Sequence, residues 1–255
     1  MPSQGAGHIV VDDQSGHVFV SSPYADSGSM LDAASGRLRT VGGTQPGPLA
    51  VDTRTRRVFV LNGGGGGTPN GAVTILDSAT GRVVGNTPVG GLALPVTPVV
   101  DARTGRVFVA NDASGTVSVL DARGGALLRT VTVGRHPFVM AVDGRSSRVF
   151  VTSLGAMDAA GRLTGPGSVS VLDAQSGMLL RTVPVGVEPA VIAVDERAGR
   201  AFVVNVAGDS HDTLAAARSL VPGLSWPAPP CNSYGQVSTR CRLAPGSVTV
   251  LDAAR

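Results

Sequence analysis

The chain has 255 residues, 42% of them hydrophobic, with 35 glycines and 17 prolines. About one residue in five breaks regular structure, which is below the level of low-complexity chains, so the composition excludes a disordered polypeptide. It holds 39 valines, two glutamates (Glu188 and Glu196) and no lysine, a balance that disfavours long helices and favours strands and turns. The 21 arginines face 18 acids, and the resulting +3 is too small to point to nucleic acid.

No apolar run approaches the roughly 18–20 residues that span a bilayer. Residues 1–5 carry neither the basic nor the apolar region of a signal peptide.

Taken in chain order, the sequence repeats. A Val-Asp pair recurs at Asp12, Asp52, Asp101, Asp143 and Asp195, and each aspartate precedes a phenylalanine by seven residues: Phe19, Phe59, Phe108, Phe150 and Phe202. A second element reads Thr116-Val117-Ser118-Val119-Leu120-Asp121, with counterparts ending at Asp32, Asp77, Asp173 and Asp252. In four of the five, glycine stands four residues later, at Gly36, Gly81, Gly125 and Gly177. A third, Thr130-Val131-Thr132-Val133-Gly134, is matched by the segment ending at Gly186 and more loosely by the one ending at Gly90.

Each unit therefore holds four short runs, here a to d from an axis outward, separated by Gly, Asp, Asn and Pro turns. That is the pattern of antiparallel strands joined by hairpins. The first aspartates lie 40, 49, 42 and 52 residues apart, and four strands in about 40–45 residues make one propeller blade. The expected fold is all-β: a propeller of about five four-stranded blades in one domain, residues 1–255. The units run at about 8–43, 44–90, 91–134, 135–186 and 187–255. The sequence stops after strand c of the fifth unit, so the expectation is a five-bladed structure whose last blade lacks its outer strand and exposes an edge open to self-association. The alternatives are part of a longer polypeptide with more blades, or an open arc that pairs with another copy.

The Val-Phe-Val-x-Asn, Val-Ser-Val-Leu-Asp and Thr-Val-x-Val-Gly strings resemble the YVTN-type repeats of YncE-like bacterial β-propellers over nearly the whole chain. Phenylalanine stands where the name-giving tyrosine of that family usually sits. The resemblance implies a binding or surface scaffold, and no cofactor is expected.

In an up-and-down meander the b–c and d–a connections share one face. Nearly all length variation falls there: the Gly63 to Gly67 tract, residues 154–167, the insertion 206–246 and the d–a loop 90–98. One plain and one elaborated face are expected, the latter for a protein, glycan or other ligand. Candidate ligand-binding residues at the channel mouth are Arg135 and His136, Glu188, and the asparagines ending strand b, Asn62, Asn111 and Asn205. The repeated aspartates read as turn-formers, each expected to pair across its turn with the residue five positions on, Arg57, Arg106, Arg148 or Arg200, with His17 in the first unit.

Within the insertion, 212–220 is a helix candidate and 209–212 (Asp-Ser-His-Asp) a weak metal-ligand cluster. Cys231 and Cys241 form a disulfide, remain two free thiols, or are a two-ligand metal remnant. A disulfide, like the family resemblance, leans toward an extracytoplasmic site. No catalytic motif occurs. The alternative to a scaffold is a lactonase-like or quinoprotein-like propeller enzyme with its site at the channel mouth.

Overall fold

The computed structural model describes residues 7–21, 27–41, 46–62, 71–91, 96–206 and 247–252. The predicted insertion features (the helix at 212–220, the cluster at 209–212 and the Cys231/Cys241 pair) and the tract Gly63 to Gly67 lie outside the described residues.

Five antiparallel sheets follow one another along the chain. The first comprises β1 (His8–Asp12), β2 (His17–Ser21), β3 (Gly28–Asp32) and β4 (Leu38–Val41). The second comprises β5 (Pro46–Asp52), β6 (Arg57–Asn62), β7 (Ala72–Asp77) and β8 (Val83–Pro88). The third holds β9 (Val99–Asp101), β10 (Arg106–Asn111), β11 (Thr116–Asp121) and β12 (Leu127–Thr132). The fourth holds β13 (Pro137–Asp143), β14 (Arg148–Ser153), β15 (Ser168–Asp173) and β16 (Leu179–Pro184). The fifth has three strands, β17 (Pro189–Asp195), β18 (Arg200–Asn205) and β19 (Ser247–Asp252). The only helical turn among the described residues is a 3-10 turn at Asp112–Ser114.

The first strands are neighbours in series, β1 against β5, β5 against β9, β9 against β13 and β13 against β17, which places them innermost. This is a β-propeller of five blades, four of four strands and the fifth of three among the described residues.

The blades cohere because each sheet is apolar on both faces and hides them against its neighbours. Phe108, Val117 and Val119 of blade 3 pack on Met140, Val149, Val151 and Leu172 of blade 4. Blades 1 and 2 join the same way through Phe19 and Met30 against Leu49, Val58 and Val60. Blades 2 and 3, and blades 4 and 5, repeat the arrangement. Full burial of such a side chain contributes about 1.5–3 kcal/mol.

The a–b turns are all four residues long, at 13–16, 53–56, 102–105, 144–147 and 196–199. Their aspartates make them. Asp52 Oδ1 accepts the Arg54 N–H at 3.0 Å, and Asp101 and Asp143 accept the equivalent N–H groups of Arg103 and Arg145 at 3.0 and 2.9 Å. The second oxygen takes a hydroxyl, from Thr55, Thr104 or Ser146.

The expected pairing with the arginine five residues on is corrected. Arg57 and Arg148 meet the aspartate of strand c instead, Asp77 at 3.0 Å and Asp173 at 3.2 Å, and Arg106 meets Asp121 at 3.6 Å. In register each arginine sits opposite both aspartates, but the first carboxylate is buried in its own turn while the second stays accessible. At such partly exposed sites a pair is worth about 0–1 kcal/mol.

Asp77 and Asp173 are held below the usual carboxylate range. At Asp77 burial opposes ionisation but is outweighed by hydrogen bonds from Thr80 and by the Arg57 charge. At Asp173 the Ser176 N–H leads, against burial, with the Ser176 hydroxyl and Arg148 adding to it. Because the folded values lie below the unfolded ones, this stabilisation is complete above about pH 5 and is lost as pH falls through the folded values. The urea midpoint should therefore hold between pH 7 and pH 5.5 and drop in acid. An Asp77→Asn/Asp173→Asn variant should show a shallower acid drop.

Candidate functional site

The connections at the other end of the blades are unequal. The b–c loops occupy 22–27, 63–71, 112–115, 154–167 and 206–246, against a constant five residues for the c–d turns at 33–37, 78–82, 122–126 and 174–178. Alternate connections of a meander leave from opposite ends, so one end is uniform and the other is not.

On the uneven end, 154–167 is itself structured. Met157 and Leu163 form a bridge, and Asp158 Oδ1 accepts the N–H groups of Ala160 and Arg162 at 2.9 Å each. The result is a small exposed hairpin standing on blade 4.

Arg135 and His136 lie in the d–a connection before Pro137, and Glu188 lies in the equivalent place before Pro189. His136 and Glu188 adopt left-handed backbone, φ 52° and 54°. Each carbonyl accepts the N–H of the residue following strand b in the same blade, Leu154 at 3.1 Å and Val206 at 2.9 Å. Arg135 is exposed and Glu188 half-buried.

His136 Nδ1 stands 3.2 Å from Asp112 Oδ1. Asp112, contributed by blade 3, is buried while the imidazole is partly open. Asp112 belongs to no repeated motif of the sequence. Its one signal is that it directly follows the last residue of strand b, where the other units have Ser22, Gly63, Leu154 or Val206. A buried carboxylate holding one imidazole nitrogen orients the ring and leaves the other nitrogen for a ligand or a proton.

The three asparagines are held within their own blades. Asn111 and Asn205 are buried and Asn62 half-buried. Asn111 Nδ2 donates to Thr116 Oγ1 and Ser118 Oγ, both at 2.9 Å. Asn205 Nδ2 donates to Thr249 Oγ1 at 2.9 Å, and Asn62 Nδ2 to Thr74 Oγ1 at 2.6 Å. Their Oδ1 atoms meet no donor among the described residues.

The repeat glycine of the preceding blade lies against two of them. A Cβ on Gly90 would sit 2.9 Å from Asn111 Cγ, and one on Gly186 would sit 2.8 Å from Asn205 Cγ. These asparagines thus help join blade to blade.

Among the described residues no group of three or more His, Cys, Asp or Glu side chains is placed to hold a metal ion, and no helix is long and apolar enough to cross a membrane. A depression of about 410 Å³ lies at the uniform end, between the first two blades, bordered by His17, Asp32, Arg37 and Arg39. The residue patterns gave no hint of it.

No family model matches this chain, and no curated protein matches it. Solved structures do. Hydrazine synthase of Kuenenia stuttgartiensis superposes with a TM-score of 0.63 at 16% identity, over 80% of this chain and 56% of that one. A protein of unknown function from Desulfotomaculum acetoxidans gives 0.60 at 15% identity, over 80% and 64%. The computationally designed Ika8 protein gives 0.57 at 16% identity, over 76% and 54%. The chain spans a little over half to under two thirds of these structures. At such identities the likeness is one of fold: the protein is of the β-propeller class.

Proposed function

We propose that the protein is a non-catalytic β-propeller scaffold of the YVTN (YncE-like) type, presenting its uneven loop end to a protein or glycan. The observation that carries this reading is the asymmetry of the connections, since a scaffold that keeps one end constant and varies the other is built to display the varied end. The 154–167 hairpin and the neighbouring Arg135 and His136 supply a preformed, mixed polar and apolar surface. Glu188 adds a carboxylate one blade on, with the asparagines behind as support.

The test is capture of partners from cell extract and on a glycan array. The probes are the intact protein, a variant whose 154–167 connection is cut to a four-residue turn, and an Arg54→Ala/Arg103→Ala variant altered at the uniform end. Binding lost only with the shortened loop supports the reading, and equal binding by all three overturns it. The shortened variant should melt within a few degrees of the parent, because the β14–β15 pairing is untouched.

The His136–Asp112 pair favours a second reading, a propeller enzyme of lactonase-like or quinoprotein-like type. Stoichiometric bound metal together with lactone hydrolysis, abolished in His136→Ala, would establish it in place of the first.

A further inference from the structure

Every junction between blades joins a leading face (Phe of strand b, apolar residues of strand c) to a trailing face on the next blade. Among the described residues this junction is built four times, and one of each face is left over. On blade 1, Ile9 is 66% and Val11 57% exposed, whereas the residues in register with Ile9, Leu49, Met140 and Ile192, are at most 8% exposed. Val18, Val20 and Leu31 are likewise only half-buried, where their counterparts in blade 3, Val107, Val109 and Leu120, are fully buried.

On blade 5, Val248 and Val250 are 38% and 53% exposed, against 0–1% for Val117, Val119, Val169 and Val171. Phe202 is the one repeat phenylalanine not fully buried. Gly36 agrees. A Cβ on Gly81 or Gly177 would strike a side chain of the preceding blade, whereas one on Gly36 meets nothing within 4 Å. Among the described residues no apolar cluster joins the fifth sheet to the first.

We propose that these two faces form a self-association surface: the leading face of blade 5 in one copy stacks on the trailing face of blade 1 in another. The occupant follows from the repeat. A leading face fits a trailing face four times within the chain, and each copy carries one spare of both kinds. The partners of Val250 and Val11 can be read off the internal junctions, where Met30 clusters with Val51, Val119 with Val142 and Val171 with Val194. The contact is head to tail, because the two faces differ. It therefore grows into larger assemblies unless a ring closes.

Sedimentation of the native protein should show a mass that rises with concentration. Ile9→Asp/Val11→Asp and Val248→Asp/Val250→Asp each remove one face at exposed positions, so both should keep the native circular dichroism and sediment as monomers. Mixed in equal amounts, they should give a one-to-one dimer and nothing larger, since each supplies the face the other lacks. A Val11→Cys chain mixed with a Val250→Cys chain should form a disulfide between chains under oxidation.

A native protein that stays monomeric throughout overturns the proposal. So does either double aspartate variant that still self-associates, which would mean pairing through the β19 edge or between like faces. A mixture that remains monomeric, or a single chain whose fifth blade closes on its own first blade, overturns it as well.

Discussion

Phe108→Ala is expected to destabilise the protein by about 3–5 kcal/mol, read as a lower urea midpoint with an unchanged slope. Phe108 is fully buried in the cluster joining blades 3 and 4. Removing its ring empties a space lined by Met140, Val149 and Val151, whose strands are pinned by their own hydrogen-bonded ladders and cannot collapse into it. Phe202 occupies the same place in the repeat but faces the open side of blade 5. At dilutions that keep the chain monomeric, Phe202→Ala should cost less than half as much. Equal losses at the two positions would mean that the fifth blade is covered.

Gly125→Val is expected to be the second most damaging change, a loss on the order of 3 kcal/mol. Gly125 closes a c–d turn by donating its N–H to the Asp121 carbonyl at 2.8 Å, and it does so at φ 74°. A side chain there pays about 1–2 kcal/mol for left-handed backbone. It also drives into the Ile75 side chain of blade 2, and overpacking of that kind adds about 1–3 kcal/mol. Gly36 makes the same turn at φ 69° with open space beside it, so Gly36→Val should show the backbone term alone, about 1–2 kcal/mol. Thermal and urea unfolding of the pair separates the two contributions. If Gly36→Val were as harmful as Gly125→Val, packing would play no part.

Much of the architecture is legible in the residues because its causes are local. Asp52 and Asp101 bond N–H groups two residues on, and Gly81 and Gly125 close turns on carbonyls four residues back. Alternating valines then set which side of each strand is apolar. The spacing from Asp101 to Phe108 is a four-residue turn and the first three residues of strand b, so strand count, order and the inequality of the two ends can be counted from the letters.

The candidate site was less legible. Asn111 looks like a polar residue at a loop mouth, but it is buried beneath Gly90 of the preceding blade, 21 positions earlier in the chain. His136 was recognisable as a break in the repeat, yet its partner Asp112 comes from another blade and belongs to no motif.

The sequence by itself determined the repeat, the four-strand meander, the turn chemistry and the placement of the variable loops, all of which follow from residues within one repeat unit. Only the tertiary structure decided which aspartate each arginine meets, which asparagines are buried, and that among the described residues the first and fifth blades each keep an exposed apolar face. Near-identical units encode their own shape in the same letters whether or not another unit lies beside them. Burial is a property of what packs against a face, and Ile9 and Leu49 read alike until the blade beside each is known.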